Sequence, residues 1–397
     1  MNRTHLERKR IFFRNNGLSP TEIVKFWRHN GKLTLPWPQF ENREVIFTHL
    51  GRIGNVLVCK LIKIQADDEI LVPSYNCGSE VDPFIWFGMK PVMYRVDESL
   101  NIDVDDLFNR ITARTKIVYV THYFGWPQEL RDIIYLCLKH DLFLIEDCAL
   151  SLFSNSADGP IGRVGDAAIH SFRKTLPVPD GAALVLRAAN RLESLPEIRP
   201  SLLITASEIA PYIARWLLHW MYNNPVVSNS LYYVNDLFPQ NSSQSVLSET
   251  LDMPSDYYFS DEIMPLTISR ISAGILRATN PETVVNIRRK NYQRLFEGIA
   301  DISLLRQLLR NLPDGVCPLL MPIVVDDVLK WIRELNSMGI KAIRWWEGFN
   351  QKLSWEAFPE AKKLKMELLV LPVHQYLNED DIDYMIDCAQ KVAKTKC

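Results

Sequence analysis

From Glu44 to Leu186 the chain repeats one rhythm: a short apolar run, a turn, an amphipathic stretch, another apolar run. Val45-Ile46-Phe47-Thr48, Glu69 to Pro73, Lys90 to Val96, Ile117 to Thr121, Leu142 to Asp147, Ala167 to Phe172 and Ala182 to Leu186 read as strands. Gly51 to Ile64, Ser79 to Phe87, Asp103 to Arg110 and Gln128 to His140 carry apolar residues at helical spacing. Strands this apolar must be buried on both faces. With helices between them, the economical solution is a mostly parallel sheet covered on both sides.

The rhythm divides the chain. Residues 1–40 read as an N-terminal helical arm, started by Ser19-Pro20-Thr21-Glu22. Residues 41–262 form the large domain, within which 190–262 breaks the pattern as a helical insertion or crossover, polar at Asn241 to Ser245. Residues 263–397 form a smaller C-terminal α/β domain, entered by a long helix from Pro265 to about Ala300 with a turn at Asn280-Pro281. In it, strands are expected at Leu319 to Val325, near Ala342 and at Leu368 to Leu371, and helices at Val328 to Met338 and from Glu379.

Net charge is -2 over 397 residues, which gives no electrostatic footprint for nucleic acid. The seven cysteines are dispersed, with no CxxC and no metal spacing, as in reduced thiols of a cytoplasmic protein; no metal is expected. The N-terminus lacks the apolar core of a signal peptide. Leu202 to Tyr222 is apolar at helical spacing but interrupted by Glu208, Pro211, Arg215 and His219. It reads as a core or dimer-interface helix rather than a membrane contact.

Chemistry concentrates between Ile117 and Leu186. Asp147 ends an apolar strand; Ser171, Arg173 and Lys174 follow the next one, and Asp180-Gly181 the turn after it. An acid at a sheet edge, a hydroxyl and a lysine in that order are what a pyridoxal phosphate site needs. The carboxylate keeps the pyridine nitrogen protonated, the hydroxyl binds phosphate and the lysine forms the Schiff base. Each residue also has a plain structural reading. Glu146-Asp147 can simply be leaving a strand, Lys174 can be a surface lysine, and Arg173 can take its place in the site. Gly51-Arg52, at a helix start, offers free N–H groups and a guanidinium to a phosphate. His122 and Tyr123, at a strand's end, and Trp345, Trp346 and His374, in the C-terminal unit, are candidate substrate contacts.

These residues lie in motifs that resemble the DegT/DnrJ/EryC1/StrS aminotransferases, the sugar-aminotransferase branch of fold-type I pyridoxal phosphate enzymes. Asp68 to Tyr75 resembles "DEVIVPSF"; Leu100 to Asp103 with Ile111 to Lys116 resembles "LNID" with "ITPRTK". His122 to Pro127 is similar to "HLYGQP", Ile145 to Ala149 to "IEDAA", and Gly162 to Phe172 to "GSLGDAGCFSF". Asp180 to Ala182 is similar to "GEGG", and Leu371 to His374 with Glu379 to Asp383 to the closing "LPLH…TEEDVD".

The resemblance implies an α/β fold with a mainly parallel seven-stranded sheet between helices, a smaller C-terminal domain and a homodimer. It implies pyridoxal 5'-phosphate, with Lys174 and Asp147 as catalytic residues. It also implies transfer of an amino group, with glutamate as the expected donor, to a keto sugar nucleotide in surface polysaccharide or glycan biosynthesis. Another fold-type I reaction, or a member that kept the fold and lost turnover, are the alternatives.

The chain departs from the family in several places. Gly51-Arg52 stands for the usual Gly-Thr, and Leu150 for a glutamine. Cys77 stands for the aromatic that stacks on the ring, a role Tyr75 or Asn76 would have to take over. Ile263-Met264-Pro265 replaces an "NxR" that contributes to phosphate binding, a loss Arg52 would offset. Ser171 lies closer to the lysine than the family's serine does.

Overall fold

The structure, a computed structural model, describes residues 18–27, 33–188, 195–223 and 251–395. The polar tract Asn241 to Ser245 lies outside the described residues. The large sheet has seven strands. They are β1 (Glu44–Thr48), β2 (Glu69–Pro73), β3 (Lys90–Tyr94), β4 (Thr115–Thr121), β5 (Phe143–Asp147), β8 (Ala167–Ser171) and β9 (Ala182–Leu186), in the order β1-β9-β8-β5-β4-β2-β3. A two-stranded hairpin, β6 (Asn155–Ser156) and β7 (Gly159–Pro160), lies between β5 and β8 in the chain. The neighbours β3, β2, β4, β5 and β8 run parallel; β9 is antiparallel to both β8 and β1. Every residue of β2 and β9 is buried, as strands covered by packed elements on both faces require.

Helix Gly51–Leu61 presses Ile53, Val56 and Leu57 onto the sheet. It can come this close because it begins with glycine: a Cβ on Gly51 would stand 3.0 Å from Ile169 Cγ2, on β8. Gly181 is needed for another reason. Its φ is +112°, and a Cβ there would strike Ile268 Cδ1 at 2.6 Å, so the chain turns into β9 only with glycine.

The other face of the sheet packs against the N-terminal segment and a helix from the middle of the chain. Leu18, Phe26, Trp37 and Phe40 share one cluster with Ala168, Phe172 and Val185 of the sheet and with Ile271 and Leu276 of helix Arg270–Ala278. Ser19 and Glu22 reciprocally cap the start of helix Pro20–Trp27. The long helix expected from Pro265 to Ala300 is two helices, Arg270–Ala278 and Pro281–Gly298. Pro281 cannot donate to the preceding turn, and Asn280 caps the second helix by accepting from Thr283 N.

The C-terminal unit holds a four-stranded antiparallel sheet, ordered β10-β11-β13-β12, from β10 (Leu305–Gln307), β11 (Leu320–Val325), β12 (Ile343–Arg344) and β13 (Leu368–Pro372). Helices Pro281–Gly298, Val328–Ser337 and Glu379–Lys394 cover it through Leu295, Trp331, Leu335, Ile382 and Met385. Helix Pro359–Glu367 and strand β10 have no counterpart among the expected elements. Leu202–Asn223 is one helix despite Pro211 inside it. Among the described residues no helix is long and apolar enough to cross a membrane.

Candidate active site

The parallel strands deliver their last residues to one edge of the sheet, and a cavity of about 480 Å³ opens there. Its floor comes from the large sheet: Gly51 and Arg52, Cys77, Ser79 and Glu80 past β2, Asp147, Ser171 and Lys174. Its far wall comes from Pro254, Asp256 and Tyr257 and from Arg344 to Glu347. The stretch that breaks the strand–helix rhythm therefore helps to build this cavity.

Asp147 and Glu146 alternate across β5, so they meet opposite environments. Glu146 turns away from the cavity. It accepts from Val164 N at 2.8 Å, Gly165 N at 2.6 Å, Gly162 N at 3.1 Å and His122 Nε2 at 3.0 Å. Burial pushes its pKa up, but the hydrogen bond and charge of His122 and these N–H groups outweigh that, and it lies below the ordinary value. Asp147 faces the cavity. Its Oδ1 accepts from Ala149 N at 2.9 Å. Burial raises its pKa, against the pull of Lys174 and of the Ala149 N–H. A buried carboxyl held above its ordinary value is one that a cation in the cavity would satisfy.

Lys174 lies in the helical turn Phe172–Thr175 directly after β8 and reaches the same cavity. Near it is an anion-shaped end. Helix Gly51–Leu61 starts after Leu50 with no side-chain cap. Ser171 and Arg173 line the wall, and Arg173 Nε is a buried donor without a partner among the described residues. Arg52 shares this end, but its Nη1 donates to the carbonyls of Asp256, Tyr257 and Tyr258 at 3.0, 2.7 and 3.1 Å. Burial, then the charge of Arg173, lowers its pKa. Arg52 thus pins the cavity's far wall as well as standing at the anion end.

Five expected site residues do not line the cavity. His122 is spent on the reverse side of the sheet: its Nδ1 accepts from Gln128 N at 2.9 Å, so Nε2 carries the proton given to Glu146. Tyr75 and Tyr123 lie one layer behind Trp346. The Tyr75 ring is 5.0 Å from Trp346, and Tyr123 Oη donates to Tyr75 O at 2.6 Å. Neither replaces a ring-stacking aromatic at the cavity surface. Asn76 Nδ2 donates to Pro73 O at 2.8 Å and shapes the turn after β2. His374 is buried in the C-terminal unit, its carbonyl held by Asn291 and its ring against Tyr376. Gly51, Arg52, Asp147, Ser171, Lys174, Trp345 and Trp346 do share the cavity.

Sequence reasoning missed Asn55, Tyr119, Glu80 and Arg344, all on the cavity wall. Tyr119 lines the cavity beside Asn55 and Asp147, and burial, then the Asp147 charge, raises its pKa. Arg344 is buried, with Nε and Nη1 lacking partners among the described residues. Of these, only Glu80 had a local signal, as a charged residue in the Cys77-Gly78-Ser79-Glu80 turn past a buried strand. Asp180 lies outside the cavity, where its Oδ1 accepts from Ser269 N at 2.9 Å.

Residues 40–198 match the model of the DegT/DnrJ/EryC1/StrS aminotransferase family. GDP-perosamine synthase of Vibrio cholerae is 30% identical over 138 residues, 34% of this chain and 38% of that protein. The dTDP-4-dehydro-2,3,6-trideoxy-D-glucose 4-aminotransferase of Saccharopolyspora spinosa is 32% identical over 141 residues, 35% and 37% of the two lengths. The matched stretch thus spans well under half of these relatives. In structure, DesV of S. venezuelae superposes with a TM-score of 0.65 at 17% identity, covering 95% of this chain and 94% of that one. Spr1654 of Streptococcus pneumoniae in its PLP form superposes with a TM-score of 0.66 at 17% identity, covering 97% and 99%. At such identities the superpositions establish the fold alone.

Proposed function

We propose that this chain, whose residues 40–198 match the model of the DegT/DnrJ/EryC1/StrS aminotransferase family, is a pyridoxal 5'-phosphate-dependent aminotransferase. Its substrate in this reading is a keto sugar nucleotide for surface polysaccharide or related glycan biosynthesis, with glutamate as amino donor. The observation that carries the reading is one cavity shared by Asp147, Lys174 and an uncapped helix start flanked by Arg52 and Arg173.

The donor set fits the cofactor. The buried Arg173 Nε without a partner, the free helix start and Ser171 suit a phosphate dianion. At the other end, Asp147 is a buried acid whose pKa burial raises against the pull of Lys174, and a protonated pyridine nitrogen would supply a further cation. When bound, pyridoxal phosphate supplies an electron sink that weakens the bonds of an attached amine. Asp147 would hold the proton on the ring nitrogen, with Tyr119 beside it on the cavity wall. Lys174 Nζ would anchor the cofactor and would serve as the group that carries protons to and from the substrate. Trp345 and Trp346 present aromatic faces, suited to a sugar or base, on the opposite wall.

A homodimer in the cytoplasm completes the reading. Helix Leu202–Asn223 leaves Leu203, Leu217 and Trp220 exposed, a face that a second copy would cover, and the six described cysteines are free thiols.

The test is the visible spectrum. Purified protein given pyridoxal phosphate should gain a band near roughly 410–430 nm, which glutamate bleaches and which Lys174→Ala abolishes while leaving the circular dichroism intact. A wild-type protein with no such band would sink the proposal.

A further inference from the structure

Glu80 is an ionisable group of the cavity that the aminotransferase reading leaves without a task. It follows β2 in the turn Cys77-Gly78-Ser79-Glu80, and the turn is built to hold it. Cys77 N donates to Glu80 Oε1 at 2.8 Å, and Asn55 Nδ2 donates to the Glu80 carbonyl at 2.9 Å. Gly78, with φ +88°, makes the turn possible; a Cβ there would stand 2.9 Å from Asn350 Cβ. The carboxyl lines the same cavity as Asp147 and Lys174. No salt-bridge partner stands against it among the described residues, whereas the carboxylates of Glu69, Asp106 and Glu379 each have one.

The titratable groups coupled to its charge come from every neighbouring element: Asp147 from β5, Lys174 after β8, Tyr119 and Tyr123 from β4 and its end, Lys365 from helix Pro359–Glu367, and Cys77 from its own turn. Burial and the Asp147 carboxylate raise the Glu80 pKa, and Lys174 opposes them. That is the direction that makes a carboxylate a better base near neutral pH.

We propose that Glu80 is a second proton carrier of this cavity, accepting the proton that an incoming ammonium group must lose before its nitrogen can react. The N–H bond breaks, its electron pair stays on nitrogen, the proton forms an O–H bond on the Glu80 carboxylate, and the amine becomes neutral. The reverse transfer returns the proton to the amine that departs. In the aminotransferase reading Lys174 and Asp147 serve the cofactor itself, which leaves Glu80 for this transfer. The inference rests on the aminotransferase reading.

Glu80→Gln is the test, because the amide oxygen still accepts from Cys77 N and keeps the turn. Two readouts are taken. In cofactor-free protein, alkylation of Cys77 by iodoacetamide is followed against pH by peptide mass spectrometry. Burial first, then the charge of Glu80, raises the Cys77 pKa; the variant should therefore alkylate at lower pH than wild type. In loaded protein, bleaching of the visible band by glutamate should slow about 100-fold at pH 7. The deficit should shrink toward alkaline pH, where the donor arrives already deprotonated, and Glu80→Asp should restore part of the rate. An unchanged alkylation profile, or a deficit that does not depend on pH, overturns this inference alone. Absence of the band in wild type overturns the aminotransferase reading and this inference with it.

Discussion

Glu146 and Asp147 are neighbours in the chain, yet one is a satisfied anion on the closed side of β5 and the other a desolvated acid in the cavity. The pleat of one strand separates structural charge from reactive charge. It does so because each side of the sheet offers a different set of donors.

Glu146→Gln should be costly. The substituted amide would present an NH2 group to N–H donors that now meet carboxylate oxygens, so a loss of about 2–4 kcal/mol is expected at pH 7. Glu146 is depressed in the folded state, so its stabilisation is present above the unfolded value and fades as pH falls through the folded one. Urea unfolding from pH 3 to 7 should show wild type and variant converging at the acid end. Equal stability at pH 7 would refute the assignment.

Asp147→Asn should behave the opposite way. The Asp147 pKa is raised by burial, so the stability it permits is present below the unfolded value and lost as pH rises through the folded one. Cofactor-free Asp147→Asn should melt at or above wild type at pH 8, with the advantage smaller at pH 5. Cofactor affinity should nevertheless fall at least tenfold. A variant that melts lower at pH 8 than at pH 5, relative to wild type, contradicts this.

Arg52→Lys tests whether one guanidinium joins two walls. Lysine cannot serve the carbonyls of Asp256, Tyr257 and Tyr258 together while facing the anion end. Faster proteolysis near residues 254–258 and weaker pyridoxal phosphate binding should appear together. Weaker binding without looser proteolysis would show that Arg52 serves the phosphate only.

Lys365 is buried and donates to Trp346 O at 3.1 Å and Gly348 O at 2.9 Å, bracing the loop that carries Trp345 and Trp346. Burial lowers its pKa from 10.5 to about 8. Between those values the unfolded chain binds the extra proton, so wild-type stability gains with rising pH. Lys365→Met should lose that gain, shift the tryptophan emission and raise KM for the acceptor substrate. Thermal melts and fluorescence from pH 7 to 10 are the check.

Much of this was legible in the residues. The strands from Val45 to Leu186 were readable because parallel strands buried on both faces are apolar throughout. The cavity's Asp147 and Lys174 were readable because they sit at strand ends. Helix Pro359–Glu367 was not, since its buried residues are few and its charges many. His122 looked like a substrate contact for the same reason as Asp147, its place at a strand end. Only the pairing with Glu146 across the sheet reveals that its ring nitrogens are both spent.

By itself the sequence determined the order of the strands and helices, the turn glycines and the residues that could carry the reaction, because periodicity and backbone freedom are local properties. The tertiary structure alone decided which acid faces the cavity, that Arg52 reaches across to residues 256–258, that Tyr75 and Tyr123 stand behind Trp346, and that Glu80 meets Asp147 and Lys174. Those relations join residues far apart in the chain. Their energies depend on burial and on neighbours that only the folded sheet brings together.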